Sequence, residues 1–368
     1  MLLASYLLAA LAVLLAWPVP VLLARAAWPS RAPAPAMLLW QGIGLAGGLS
    51  MIGAFLCWGL APLDRGLLPA AGLLVHAILG RLELPGLDVV HLFALSLAAL
   101  LGGHLLLTLA RSAWRLARDR QRHREMLAFL SKPEAGPGTA VIDHDTPLAY
   151  CLPGAGNLTV LSSGLLRSLD ERELRAVLAH ESAHLDQRHD LLLLAFTSWH
   201  AALPWLPTTR LALQAVGELV EELADDAALR VSTREDLLGA LAVVALAGQS
   251  EGPRPGTLPG APGAGAPDAG APSAGHDDAA AVPVPSSPSL PPGLPAAPPA
   301  AASSEALAAA RWAVPGGPHE ALSSRRLGRL LSPDAPLGPW ARRLAGTSAV
   351  ALVVLPTLFL AAAGWDVL

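Results

Sequence analysis

Charge is scarce in this chain. Asp, Glu, Lys and Arg make up 15% of its 368 residues, against 53% hydrophobic residues. Soluble domains carry about 25% charged residues, so the shortage points to a membrane protein. Positive charge is not in excess either. The formal net charge of −4 argues against a nucleic-acid binder that works by neutralising phosphates. Cysteine is nearly absent, with Cys57 and Cys151 alone, and Cys57 lies inside an apolar run, so no disulfide framework is expected. The N-terminus lacks the basic start and small-residue cleavage site of a signal peptide, and no internal repeat is apparent.

Long apolar runs are what the chain has in place of charge. Four of them, Leu2–Ala24, Met37–Leu63, Val89–Ala110 and Leu344–Gly364, reach the length of about 20 residues that crosses a bilayer core. The second contains Gly44 and Gly48, a small-xxx-small pair suited to close helix packing. The piece 66–80 is short and interrupted, and reads as interfacial or re-entrant. Arginines orient the spans. Arg111, Arg115, Arg118, Arg120, Arg122 and Arg124 follow the third run; Arg325, Arg326, Arg329, Arg342 and Arg343 precede the last. Arg25 and Arg31 occupy the first loop. Because arginine accumulates on the cytoplasmic side, four spans with the N-terminus outside satisfy all three clusters.

Between the third and fourth runs the texture changes. Residues 139–167 alternate short β-favouring pieces with Pro, Gly and Asn, predicting two or three strands. Ser168 with Glu171 reads as a capping box that opens a helix. The apolar stretch 191–207 is expected to dip into the membrane or pack on it, and a further helix carries "LALQAVGELVEELADDAALR". Residues 249–304 are Pro/Ala/Gly-rich, a composition that cannot bury a core and reads as a disordered linker.

The chemistry lies in "HESAH". His180 and His184 stand four residues apart, so a helix presents both to one ion. Glu181 leans over the open coordination position, where it can act as a general base toward water. Zinc supplies the acidity such a site needs, but a catalytic zinc requires a third protein ligand. The second helix offers two frames, Glu221 with Asp225 or Glu222 with Asp226, in which the aspartate fixes a ligand histidine. The first is preferred because Ala224 and Ala228 then flank Asp225 as expected. A solvated helix end rich in Glu, His, Asp and Arg is the plainer alternative. The capped helix, the downstream ExxxD and the apolar hairpin between them weigh against it. His76, His91 and His104 lie in apolar segments without spaced partners and read as structural. His144, His189 and His200 are close enough to the motif for a supporting role.

Three spans, a strand segment ending "LTVLSSGLL", the helix "ELRAVLAHESAHLDQRHDLL", then "VEELADDAAL" and a final span together resemble the BlaR/MecR-type membrane zinc peptidases. The HtpX and CAAX-prenyl-protease group shares the two motifs, and the order of the spans favours the BlaR/MecR type. The resemblance implies zinc held by His180, His184 and Glu221, Glu181 as catalytic base, and Asp225 orienting a ligand. It also implies a cytoplasmic repressor of the BlaI/MecI kind as protein substrate. One departure is large: with Leu368 directly after the last run, no penicillin-binding sensor domain is expected, and sensing by acylation is in doubt.

The expected architecture is a mainly α membrane protein, with four transmembrane helices and a cytoplasmic α+β zincin-like metalloprotease domain inserted between the third and fourth. Its parts are a three-span region 1–110, the protease domain 111–248, the linker 249–304, a second cytoplasmic stretch 305–343 and the last span 344–368. The lipid bilayer and a protein substrate are the expected partners, with no direct contact to nucleic acid. A regulatory endopeptidase is the leading reading. A quality-control protease of the HtpX-like kind and a non-enzymatic zinc scaffold are the alternatives, and an intact Glu181 argues against the scaffold.

Overall fold

The structure is a computed structural model that describes residues 1–63, 65–80, 87–130, 138–154, 156–250, 323–332 and 335–364. The expected linker 249–304 lies outside these, apart from its first two residues. Among the described residues four helical segments are long and apolar enough to cross a membrane: Leu2–Arg25, Pro33–Leu63, Val89–Ala128 and Pro339–Gly364.

The first of these is broken into α1 (Leu2–Ala16) and α2 (Pro18–Arg25). Pro18 and Pro20 bring no amide hydrogens, so the break leaves carbonyls without helical donors. One is repaired from a distance, because the Thr208 hydroxyl donates to Ala16 O at 2.6 Å. α3 (Pro33–Leu60) returns across the bundle and is the element against which α1 and the last helix pack. The expected glycine contact is displaced by two residues. Gly48 faces open space and Gly44 meets the rings of Trp199 and Phe196, whereas a Cβ at Gly42 would stand 2.9 Å from Ala349 O. The close helix–helix approach is at Gly42, because that face of α3 is the one turned to the last span.

The piece 66–80 forms α4 (Leu67–Ile78), 12 residues long and too short to cross. It lies with Met1, Leu60, Leu63 and Leu95 in one apolar cluster at the end of the bundle where Gly66 also meets Gly364. α5 (Val89–Leu130) is a single helix of 42 residues that runs from that end, through the apolar stretch, and out along the arginines.

Beyond the bundle a small sheet forms from β1 (Thr139–Ile142), β2 (Ala149–Leu152) and β3 (Leu158–Ser162). Its order is β1-β3-β2, with β1 parallel and β2 antiparallel to β3. One face closes over Leu127 of α5 with Ile142, Leu152 and Val160, and burying each such side chain contributes about 1.5–3 kcal/mol. The other face carries Ala149 and Leu161 toward α6 (Ser163–Ser168), α7 (Glu171–Asp186) and α10 (Arg234–Ser250).

The cap of α7 differs from the expectation. Asp170, not Ser168, is the N-cap, accepting from the amides of Arg172 and Glu173 while the Glu173 carboxylate accepts from Asp170 N. Ser168 is engaged elsewhere: it ends α6 and donates to Gly164 O at 2.8 Å. α8 (His189–Ala202) and α9 (Pro207–Ala228) form a helical hairpin that enters the bundle. At the base of α8, Asp190 pairs with Arg120 at 3.0 Å; near its tip, Ala202 O lies 3.0 Å from His104 Nε2. The two contacts are 16 residues apart on α5, roughly 24 Å along its axis, so the hairpin reaches well into the apolar layer. His104 thus serves the free carbonyl end of a helix inside that layer, the structural role expected of it. Phe196, Leu193, Val216, Leu219 and Val220 of the hairpin share one core with Leu15, Trp40 and Ile43 of the spans. The last two described elements are α11 (Ser324–Leu331), which packs on α9, and α12 (Pro339–Gly364).

Candidate metal centre

The centre is made by α7 crossing α9. α7 presents His180 and His184 on adjacent turns, and their Nε2 atoms stand 3.3 Å apart. α9 brings Glu221 against both. Its Oε2 lies 3.5 Å from His180 Nε2 and its Oε1 3.6 Å from His184 Nε2. One ligand atom from each of the three falls within 4.8 Å of the others, a group that could hold a metal ion. The two frames on α9 separate cleanly in space. Glu222, one residue on, turns away toward Arg325 at 3.4 Å, and Asp226 is held by Arg329 at 2.7 Å. A step of one residue on a helix rotates a side chain by about 100°, so only one frame can face α7.

The tautomers follow from the neighbours. His189 Nε2 lies 3.3 Å from Gln187 Oε1, a carbonyl acceptor, so Nε2 carries the His189 proton and its Nδ1 accepts. That Nδ1 is 3.1 Å from His184 Nδ1, which therefore donates, leaving the lone pair of His184 on Nε2. His180 Nδ1 stands 3.1 Å from Asp225 Oδ1, which likewise leaves its lone pair on Nε2. Two imidazole lone pairs and a carboxylate thus converge. Glu221 Oε1 is buried and has no hydrogen-bond partner among the described residues. Such a set of acceptors repels itself unless a cation or a proton occupies the centre, so the donor chemistry fits a metal ion.

The electrostatics agree. Burial pushes His184 down to about 3, helped by the charges of His180, His189 and Arg326 and opposed by Glu221, so it is neutral and ready to ligate. Burial likewise lowers His189 to about 4. Burial also works against charge on His180, yet hydrogen bonds and charge from Asp225 and Glu221 outweigh it and raise that group: the proton takes the place of the cation. Glu181 is half-buried, and its side chain makes no hydrogen bond among the described residues. Desolvation, reinforced by the charge of Glu221 and opposed by His180 and Arg326, lifts its carboxyl to about 8.

His189 reaches this position through an unusual turn. Arg188 is left-handed at φ 50, which ends α7 sharply and folds the first residue of α8 back onto His184. Of the three supporting histidines expected, His189 alone joins the centre. His200 pairs with Thr209 at 3.0 Å inside the hairpin, and His144 organises a turn beside Ser163.

One participant was missed. Arg326 of α11, 4% exposed, lies over the back of the centre. Its Nε and Nη2 donate to the two oxygens of Asp225 at 2.9 and 2.8 Å, and Nη1 donates to Glu221 Oε2 at 2.9 Å. The run Arg325-Arg326 in the sequence reads as a topology signal. Its one inward member shows only in α11, where Leu330, one turn on, is buried with it.

Residues 115–251, from the outer part of α5 through α10, match the model of peptidase family M48, whereas no curated protein and no solved structure matches the chain. That stretch carries His180, Glu181, His184 and Glu221, so the part of the chain that builds the centre is similar to the M48 peptidases, and this supports a metallopeptidase.

Proposed function

We propose that the chain is a multi-pass membrane zinc endopeptidase. His180, His184 and Glu221 would hold the zinc, Glu181 would be the base, and Asp225 would orient His180. The observation that carries the reading is the convergence of His180, His184 and Glu221 on one point, with the buried Glu221 Oε1 left without a hydrogen-bond partner among the described residues. When bound, zinc supplies a positive charge that lowers the pKa of water and polarises a carbonyl. The chain's own groups do the rest. Asp225 Oδ1 stands 3.1 Å from His180 Nδ1 and His189 Nδ1 stands 3.1 Å from His184 Nδ1, neighbours that would orient both rings with Nε2 toward the metal. The Glu181 carboxylate would take a proton from the attacking water and pass it to the departing amide nitrogen.

The substrate is a protein. The arginine clusters on α5, on α11 and at the start of α12 support a cytoplasmic catalytic region, and with it a regulatory role on a cytoplasmic target of the repressor kind. A second reading, removal of damaged membrane proteins, draws support from the α8–α9 hairpin, which ties the centre to the apolar layer. A proteome comparison of strains with and without the active protein separates them: one stabilised transcription factor supports the first, accumulated membrane proteins the second. Metal analysis with a peptide-cleavage assay tests the enzyme itself. His180→Ala should lose the metal, whereas Glu181→Gln should keep it and lose hydrolysis. Cleavage by purified Glu181→Gln protein would sink the mechanism.

A further inference from the structure

Beside α11 lies a cavity of about 830 Å³, within the range of roughly 300–1,000 Å³ usual for ligand pockets. Its lining is dominated by arginine. Arg25, Arg31, Arg230, Arg234 and Arg342 have no carboxylate partner among the described residues, and Arg31 and Arg234 donate to backbone carbonyls. Two more arginines of the wall are paired. Arg329 holds Asp226, and Arg325 meets Glu218 and Glu222 yet keeps a buried Nη2 with no partner. Asp226 is the one carboxylate among the described lining residues.

The position of the pocket says what it can bind. Its rim is formed by the ends of three of the candidate spans: Ala24–Arg25 closing the first, Pro33–Pro35 opening the second and Arg342 near the start of the fourth. Trp340, 80% exposed and two residues from Arg342, is the kind of side chain that sits at headgroup level. We propose that this cavity binds a phosphate group, supplied by the headgroup of an anionic phospholipid. Several guanidinium forks converge where the bilayer delivers phosphodiesters at high local concentration, and a basic pocket between span ends is how such headgroups are held. An occupant would also hold α11 in place, because Arg325 and Arg329 line the pocket from the same turns that send Arg326 to Asp225 and Glu221.

The test uses the full chain in mild detergent, with native mass spectrometry to count bound phosphatidylglycerol against phosphatidylcholine and a thermal melt as a second readout. The combined variant Arg25→Gln, Arg230→Gln, Arg342→Gln removes exposed side chains that make no hydrogen bond or ion pair among the described residues, so its fold should stand. A control of equal charge change, Arg111→Gln, Arg115→Gln, Arg343→Gln, lies outside the pocket. Wild type should retain phosphatidylglycerol in preference and melt higher with it. The pocket variant should bind it on the order of 100-fold more weakly, at about fivefold per arginine, and the control should resemble wild type. Should the triple variant misfold, the single changes Arg25→Gln and Arg342→Gln should each show about the fivefold loss. Equal weakening in pocket and control variants would overturn the proposal, since charge alone would then explain retention. Inorganic phosphate alone raising the melt as much as phosphatidylglycerol, with no preferential retention of phosphatidylglycerol over phosphatidylcholine, would overturn the lipid as the source.

Discussion

Replacing Arg326 by methionine removes the guanidinium that α11 sets against Asp225 and Glu221. Its three donor contacts are 2.8–2.9 Å long, and the side chains concerned are at most 8% exposed. Methionine fills the volume, so the loss is electrostatic. Breaking a buried ion pair from one side costs about 3–5 kcal/mol, because the remaining charge is stranded. For a domain of this size that corresponds to a melting temperature lower by on the order of 10 °C. The penalty should appear in full without metal and shrink in the zinc-loaded protein, where the ion supplies the missing positive charge. By linkage the variant should then hold zinc more tightly while cleaving more slowly, since Glu221 and Asp225 lose their orientation. Arg326→Lys should fall between, keeping the charge without the fork. Thermal melts with and without a chelator, together with competitive zinc titration, provide the measurement. An Arg326→Met protein that melts like wild type without metal would refute the reasoning.

Glu221→Gln should cut zinc content strongly, and Glu222→Gln should leave it intact while weakening the contact with Arg325; metal analysis giving the reverse would move the centre to the other frame. His189→Leu should weaken zinc binding by about 10–100-fold without removing a ligand, because His184 loses the acceptor that sets its tautomer. A competitive titration matching wild type would contradict that assignment. Zinc uptake near neutral pH should release a proton from His180, whose metal-free pKa is raised to about 10, and calorimetry in buffers of different ionisation enthalpy reads it. The raised value also means that His180 stabilises the metal-free fold below its unfolded pKa, near 6.5, and that this contribution disappears as pH rises through about 10. A reporter fused after Leu130 should behave as cytoplasmic and one fused after Leu368 as external, since arginines follow the apolar part of α5 and precede that of α12. An external signal at the first position would overturn the orientation.

The sequence by itself determined whatever depends on local periodicity and composition. Four runs of spanning length need only apolar residues in number, and HESAH needs only a helix to set two imidazoles on one face. Even the third ligand was legible as one of two frames, because the ExxxD spacing is itself helical. Tertiary contact decided which frame. Glu221 and Glu222 have the same propensities, and the angle at which α9 crosses α7 turns the first to the histidines and the second to Arg325. The same holds for the cap of α7, where Ser168 and Asp170 are both competent and the end of α6 claims the serine. Gly44 and Gly48 carried the expected pattern, but the packing of α12 placed the close approach at Gly42. Arg326 and the arginine pocket were hidden for a related reason. A run of arginines looks alike along a chain, and only the fold distinguishes a guanidinium buried beside Asp225 from one left facing a cavity at the ends of the spans.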